Sequence, residues 1–231
     1  MRKALAASRF PNRRLTFRRT RPNMTFIIFE IATMSATRSS RHQQSHERIL
    51  DAAARAVRRA GVAGVGVAEV MKEAGLTHGG FYAHFDSRDA LLADAVEHAG
   101  QQSNARVLER MRARTDAGES LFSALVSEYL SEPHMQALEL GCPVAAVGSD
   151  MQRAQESLRE VSKGRVRALA ALVGQALPPG SLPGNAWTVA AALVGALQMA
   201  RVLGPEGGGN EVLRACRETL LAQYDRPGHA A

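Results

Sequence analysis

The chain has 231 residues, of which 45% are hydrophobic, 22% are charged and 5% are aromatic. This composition is ordinary for a soluble globular protein, and few aromatic residues beside abundant Ala favour closely packed helices over a sheet. Two cysteines are too few for a disulfide framework and fit a reducing, cytoplasmic location.

The net positive charge lies in the first 34 residues. They hold eight basic side chains against one acidic one, Glu30, which gives 8 − 1 = +7 and equals the net charge of the whole chain. The other 29 − 8 = 21 basic residues balance 22 − 1 = 21 acidic residues. The isoelectric point is therefore no evidence of DNA binding, although a basic stretch, residues 35–60, leads into the first predicted helix.

Residues 1–40 allow three interpretations. We favour a miscalled start, with translation beginning at Met34 or at Met24. The second interpretation is a disordered basic arm that adds nonspecific attraction to phosphates. The third is a signal or transit peptide, but Glu30 interrupts its apolar run and no disulfide-bonded domain follows.

A helix-turn-helix unit is predicted within residues 41–88. Apolar residues recur at helical spacing from Ser45 to Ala60, and Gly61 ends this helix. A second helix covers "VAEVMKEAG", where Gly75 suits the left-handed conformation that ends it. Thr77 then offers its hydroxyl as the cap of a third helix. Two short helices joined by a tight turn that contains Gly form the helix-turn-helix unit.

The third predicted helix carries the segment "THGGFYAHF", residues 77–85. On an α-helical wheel Phe81 and Phe85 lie about 40° apart, facing the first two helices. The opposite side is almost bare backbone, made of Gly79, Gly80 and Ala83. Because each Gly in a helix costs about 1 kcal/mol relative to Ala, the pair indicates a helix that must approach a partner closely, such as the major groove of DNA.

Polar side chains flank the bare side of this segment. Tyr82 and His84 can donate hydrogen bonds to phosphates on opposite sides of the groove. Arg88, in the first turn of the next helix, offers a further phosphate contact beside unpaired helix amides. Tight helix packing is the alternative explanation of the glycines, and the position between a Gly turn and a capped long helix argues against it.

The stretch from about residue 45 to 112 resembles the TetR/AcrR family of bacterial transcriptional regulators. The resemblance rests on "ILDAAARAVRRAG" and "VAEVMKEAGLTHGGFYAHFDSRDALL", of which "AGLTHGGFYAHF" is the most specific part. It implies a three-helix DNA-binding domain at residues 41–88, a helical ligand-binding and dimerisation domain at residues 89–231, and repression relieved by a ligand. Val67 departs from the family, which often has a capping Thr there. The expected DNA-binding residues are Thr77, His78, Gly79, Gly80, Tyr82, His84 and Arg88.

The rest of the chain is predicted to be helical, which makes the fold class all-α. Ser87 is expected to cap a long helix from Arg88 to about Arg112. Further helices are expected at residues 119–130, after Pro133, and at 143–177 with a break near Gly148. Two more, 186–203 and 211–224, are expected to be capped by Asn185 and Asn210. No apolar run reaches the roughly 18 residues that a membrane span needs.

The last two helices are the expected dimer interface. The stretch "AWTVAAALVGALQMA" is rich in Ala and apolar nearly all round, which suits a four-helix bundle with a two-fold mate. A purely internal core helix is the alternative. A double-stranded DNA operator with two half-sites requires such a dimer, so the expected partners are operator DNA, a second copy of the chain and a small-molecule effector, without a membrane.

The effector is expected in a cavity within residues 89–200, lined by aliphatic side chains and a few aromatic ones. The candidate ligand-binding residues are Phe122, Tyr129, Cys142 and Trp187. "LELGCPVAAVGSDM" has a GCP core that resembles a subset of the family, with Cys142 at an N-cap and Pro143 at the first helical position. A thiol at a helix N-terminus can be reactive, so an electrophile or oxidant sensor is one hypothesis and a buried structural thiol is the other.

Other chemistry has little support in the sequence. His42 and His46 have metal-ligand spacing but lack an evident third ligand, so no metal and no cofactor is predicted. His134 lies near Cys142 without an identifiable oxyanion donor or orienting group, so the chain is not expected to be an enzyme. Two alternatives to a repressor stay open: an activator on the same scaffold, and an interaction module whose DNA-binding part is vestigial.

Overall fold

A computed structural model describes the backbone of residues 24–225 and the side chains of residues 40–225. Residues 43–225 belong to one compact unit, and the chain up to His42 belongs to another. Of the proposed arm at residues 1–40, residues 1–23 lie outside the described residues, and the backbone from Met24 onward is helical. All regular elements in the described part are helical, as the fold class predicted.

Helix α1 runs from Met24 to Ala60 and therefore begins well before the predicted start at Ser45. No Gly or Pro occurs between these bounds, so nothing in the local sequence breaks the helix. Helix α2 spans Val67–Glu73, a 3₁₀ helix spans His78–Ala83, and α3 spans Arg88–Asp116. Gly61 and Gly75 have φ of 71° and 69°, which confirms the predicted left-handed ends.

Six further α-helices follow α3 in the described chain. Their bounds are α4 Leu121–Tyr129, α5 Glu132–Gln136, α6 Pro143–Val147, α7 Glu156–Ala176, α8 Pro183–Leu203 and α9 Gly209–Tyr224, with a 3₁₀ turn at Met151–Arg153 between α6 and α7. Helix α6 ends at Gly148, where a break was predicted. Helices α8 and α9 pack against each other, and α7 packs against both α3 and α8.

Two clusters of buried apolar residues form the core. One joins α4, α7, α8 and α9 around residues such as Phe122, Val173 and Leu193. The other joins α1, α2 and the 3₁₀ helix to the start of α3, and it also includes Val147 and Leu158. The second cluster therefore contains residues from both sides of the proposed domain boundary at residues 88/89.

Only some of the predicted caps form. The Ser87 hydroxyl accepts a hydrogen bond from the Ala90 amide at 3.1 Å and caps α3. Thr77 occupies the N-cap position of the 3₁₀ helix without a side-chain cap bond, so the predicted capping by its hydroxyl is wrong. The N-caps of α8 and α9 are Leu182 and Gly208, not the predicted Asn185 and Asn210. Helix α8 starts early because Pro183 can open a helix at its first position.

Helix α8 is the longest strongly apolar helix in the described part of the chain. It has 21 residues and a mean hydropathy of 1.5 over its most apolar window, which by length and composition alone could cross a membrane. A core helix of a folded protein meets the same criteria, and α8 packs against α7 and α9. Its Arg201 donates hydrogen bonds to the backbone carbonyls of His134 and Met135.

Candidate nucleic-acid interface and effector cavity

The segment from residue 78 to 84 is a 3₁₀ helix followed by one capping residue, not the predicted α-helix. The amide of Gly80 donates to the Thr77 carbonyl at 3.0 Å, which is the bond of a tight turn. The Phe85 amide still donates to the Phe81 carbonyl at 3.1 Å, so one α-type turn closes the segment. Phe81 and Phe85 therefore remain on the same side, as predicted.

These two phenylalanines anchor the segment. Phe81 is 2% exposed and Phe85 is 4% exposed, within the core cluster shared with α1 and α2. Their rings are stacked with centroids 5.8 Å apart. The ring of His46 on α1 stacks on Phe85 at 4.7 Å, a packing role that the sequence reading, which considered this histidine as a metal ligand, missed.

The opposite side of the segment faces outward. Thr77, His78 and Gly79 are exposed, and a Cβ placed on Gly79 would meet nothing within 4 Å. Gly80 is half-buried, with the methyl group of Met71 3.8 Å from the place of a Cβ. The two glycines are therefore not packed inside the protein, which is what a contact with the DNA groove requires.

The two polar flanks differ in exposure. Tyr82 is 72% exposed, with its ring edge-to-face against Phe81 at 5.1 Å. His84 is half-buried, with its ring 5.9 Å from that of His46. The structure thus presents Tyr82 fully and His84 only in part, whereas the sequence suggested that the two are equivalent.

Arg88 has intramolecular partners. Its guanidinium donates to the backbone carbonyls of Val65 at 3.0 Å and Val62 at 2.7 Å, in the loop between α1 and α2. These bonds tie that loop to the start of α3. Arg88 therefore positions the helix-turn-helix unit, and the expected phosphate contact has to compete with these carbonyls.

Two arginines of the basic stretch on α1 also have intramolecular partners. Arg48 donates to the Ala74 carbonyl at the end of α2, and Arg55 pairs with Glu73 at 2.8 Å. By contrast, the exposed Lys72 has no ion pair among the residues that the structure describes. Its position on α2 makes it a phosphate-contact candidate that the sequence reading missed.

An apolar cavity of about 370 Å³ lies between α3, α6, α7 and the first turn of α8. Its walls include Val144, Met151 and Val166, and Trp187 is the one predicted ligand residue that lines it. The volume lies within the roughly 300–1,000 Å³ typical of small-molecule sites. Because residues from four elements meet here, this site was not visible in the local sequence.

The other predicted ligand residues lie elsewhere. Phe122 is buried in the core and borders a separate depression beside Pro178 and Asp225. Tyr129 and Cys142 border a space of only about 20 Å³, which is room for about one water molecule. The space beside Tyr129 and Cys142 is therefore too small for an effector, whereas the depression that Phe122 borders has about 630 Å³.

Cys142 occupies the predicted N-cap of α6, with Pro143 at the first helical position. It is 6% exposed. The imidazole of His134 donates from Nδ1 to the Tyr129 carbonyl at 2.8 Å and accepts from the Cys142 amide at Nε2 at 3.1 Å. Burial lowers the pKa of His134 to about 4, and burial together with Cys142 raises the pKa of Tyr129 well above its usual value. His134 is thus a neutral structural group.

Two contacts connect α1 to the part of the chain that leads into the cavity. The buried guanidinium of Arg58 donates to the carbonyls of Ala99 and Glu139, the latter at 3.2 Å. Burial lowers the pKa of Arg58 to about 10. A Cβ on Gly61 would lie 2.8 Å from the Asp150 carboxylate, so the end of α1 closely approaches the 3₁₀ turn after α6. Metal-binding clusters of three or more ligands do not occur among the described residues.

Comparison with known proteins gives a consistent picture. Residues 49–95 match the family model for bacterial regulatory proteins, tetR family. The chain is 27% identical over 194 residues to an uncharacterized HTH-type transcriptional regulator of Mycobacterium tuberculosis, covering 78% of this chain and 96% of the relative. The crystal structure of reduced E. coli NemR matches with a TM-score of 0.66 at 19% identity, over 80% of this chain and 98% of that one.

A TetR family regulator from Cytophaga hutchinsonii matches with a TM-score of 0.64 at 16% identity, over 80% of this chain and 96% of that one. At such identities the likeness shows a shared fold, an N-terminal helix-turn-helix unit followed by a helical domain. The family-model match adds that residues 49–95 are similar to bacterial regulatory proteins of the tetR family, and the matched relative from Mycobacterium tuberculosis is named a transcriptional regulator.

Proposed function

We propose that this chain is a regulator of the TetR family, whose family model matches residues 49–95, and that it binds a palindromic operator as a homodimer in the cytoplasm. We further propose that it represses transcription until a small molecule enters the cavity. The observation that carries the proposal is the exposed, nearly bare surface of residues 78–84, held in place by two buried phenylalanines.

The bare surface suits close contact with base edges. A major groove about 12 Å wide admits a helix most deeply where side chains are small. Gly79 is open to solvent on this surface, and Thr77 and His78 stand beside it. Our assignment is that the glycine backbone lies against the bases while Thr77 and His78 contact the sugar-phosphate backbone or base edges.

Phosphate contacts would come from both sides of this surface. Tyr82 carries an exposed hydroxyl on one flank, and Lys72 on α2 adds a free positive charge. His84 contributes less because it is half-buried. Such contacts fix the register of the protein on the duplex without reading its sequence.

The proposed dimer forms through α8 and α9. Thr188, Ala191, Gly195, Met199 and Val202 follow one another at three and four residue spacing on α8, and each is exposed or half-buried. Met199 is 59% exposed and Val202 is 88% exposed, and exposed apolar side chains that share one helix face are typical of an interaction surface. Exposed Ala215 on α9 continues the same small, apolar surface, so a second copy can pack closely against it.

The same stretch of chain borders the cavity and contacts α1. Val147 and Met151 line the cavity, while Asp150 between them lies against Gly61. Glu139, just before this stretch, accepts a hydrogen bond from Arg58 and pairs with Arg59 at 2.7 Å. A ligand that displaces residues 143–153 would therefore shift α1 and the DNA-binding unit in each protomer.

Operator binding can be tested with the DNA upstream of the chain's own gene. A gel shift that survives competitor DNA is expected, with a protein mass by light scattering equal to that of a dimer. A shift that competitor abolishes would refute the proposal and favour a vestigial DNA-binding part. Transcription from the same DNA with and without the protein distinguishes a repressor from an activator.

Tyr82→Phe tests the phosphate contact directly. Removing one hydroxyl should weaken operator binding by about 1 kcal/mol, since a hydrogen bond to a charged phosphate is lost. The folded structure should be unaffected because the hydroxyl is exposed. Tyr224→Phe, at the end of α9 and partly buried against Phe122, removes the same atom far from the segment and serves as the matched control, with operator binding unchanged.

A further inference from the structure

The cavity has apolar walls and a positively charged rim. Arg159, Lys163 and Arg167 line it from α7, spaced four residues apart and therefore on one face of the helix. Arg165 is the fourth cationic side chain in the lining, and no Asp or Glu occurs among the lining residues. A cavity with this charge pattern favours an anionic ligand over a neutral or cationic one.

Three of the four positive charges have carboxylate partners outside the cavity. Arg165 pairs with Glu97 of α3 at 3.1 Å, and it fills the space beside Gly100. Arg159 pairs with Glu156, and Lys163 pairs with Glu160. In the latter two pairs the acid precedes the base by three residues, on exposed turns where such pairs are weak.

Arg167 breaks this pattern. The position three residues before it is Gly164, and Arg167 has no ion pair among the side chains of residues 40–225. Four basic residues line the cavity and three of them have a carboxylate partner, so 4 − 3 = 1 lining base, Arg167, has no ion pair. The cavity thus has one lining guanidinium without a direct ion pair next to an apolar interior, although Arg167 also helps to lower the pKa of the exposed Glu160 carboxyl.

We propose that the effector is an apolar small molecule with a single anionic headgroup. Its apolar part packs among Val144, Met151 and Trp187, and its headgroup binds Arg167 with help from Lys163. A guanidinium binds carboxylate or phosphate through paired, charge-assisted hydrogen bonds. The inference rests on the proposed function, because it names the chemical class of the molecule that would release the operator.

Trp187 reports binding directly, because it is the only tryptophan of the chain and it lines the cavity. We would titrate the full-length protein with decanoate, decyl phosphate, decanol and decylammonium, below the concentrations at which they form micelles, and follow tryptophan fluorescence. Decyl phosphate has the same decyl tail as decanol and decylammonium, and decanoate has the same total of ten carbon atoms, so the comparison isolates the headgroup. Decanoate or decyl phosphate should bind with a Kd at least about tenfold lower than decanol and decylammonium.

Gly164→Glu provides a sharper test. A Cβ at Gly164 meets nothing within 4 Å, so the new side chain has room to begin. The substitution would place a carboxylate three residues before Arg167, as Glu156 and Glu160 lie three residues before Arg159 and Lys163. Gly164→Gln is the matched neutral control, and both changes favour the helix over Gly. Relative to Gln, Glu should raise the Kd of the bound anion about fivefold or more and leave decanol unchanged.

A charge-removal pair completes the design. Arg167→Gln should reduce the preference for the anion, whereas Arg112→Gln, an equal change at an exposed residue of α3 outside the cavity lining, should not. Equal binding of all four probes, absence of anion binding, or identical behaviour of the Gly164 pair would overturn the inference. Operator binding is measured separately by gel shift: its failure would refute the proposed function while the charge preference of the cavity could still be observed.

Discussion

The surface around Gly79 and the cavity beside Arg167 are both open to ligands, but they are built differently. The Gly79 surface is a short continuous stretch of chain, anchored by Phe81 and Phe85 from beneath. The cavity gathers side chains from α3, α6, α7 and α8, up to 91 residues apart in the chain (187 − 96). A locally built surface can serve as a rigid template for DNA. A cavity between helices can instead change shape when it is filled, which is what an effector site requires.

Phe81→Ala should have the largest effect on this comparison. Truncating a buried Phe costs about 3–5 kcal/mol in unfolding free energy, and the 3₁₀ helix has no other large buried side chain of its own. Urea unfolding should show this loss and operator binding should disappear. Tyr82→Ala, at an exposed neighbour, should change unfolding by less than about 0.5 kcal/mol while still weakening DNA binding. Equal destabilisation by both would show that the segment is not anchored by Phe81.

Lowering the pH should reduce the free energy of unfolding through the buried His134. His134 has a pKa of about 4 when folded and about 6.5 when unfolded, so the unfolded chain binds the extra proton between these values. Stability is therefore retained above pH 6.5 and falls as the pH drops towards 4, by about 3 kcal/mol from this residue.

The measurement is urea unfolding at several pH values between 7 and 4. His134→Gln should flatten the dependence, because Gln does not titrate, even if the variant is less stable at every pH. An unchanged slope in the variant would show that His134 is not the group responsible.

Gly79→Leu should separate DNA binding from folding. The Cβ site is open, so unfolding should change by no more than about 1 kcal/mol. The added side chain would hold the backbone away from the groove and raise the operator Kd at least about tenfold, or about 1.4 kcal/mol. Gly184→Leu, at another open position with nothing within 4 Å, is the control, and equal operator binding by the two variants would contradict the groove contact.

Cys142→Ala should have the smallest effect on regulation. The thiol is buried, and the Nε2 nitrogen of His134 accepts a hydrogen bond from the Cys142 amide instead of acting as a base. The quinone concentration that releases half of the operator should therefore differ by less than about twofold between this variant and the original chain. A large loss of quinone response would favour the sensor hypothesis.

The sequence alone predicted most elements of the fold because their signals are local. Helical periodicity, the Ser87 cap and the ends at Gly61 and Gly75 each involve residues within about four positions of one another. The opposition of bare glycines and buried phenylalanines was visible for the same reason. The predicted caps of α8 and α9 failed, because Pro183 opens α8 before Asn185 and α9 begins after Gly208.

Other features were determined only by the tertiary structure. The acceptors of Arg88 lie 23 and 26 residues away, and one acceptor of Arg58 lies 81 residues away, so no local pattern shows that these cations are already bonded. The same holds for the cavity, where Trp187 meets α7 and α6 while Phe122 and Tyr129 disappear into the core. Periodicity shows which face of a helix is buried, but only the tertiary packing shows which residues that face contacts. Those contacts decide whether a charged side chain is already hydrogen-bonded or is available to a ligand.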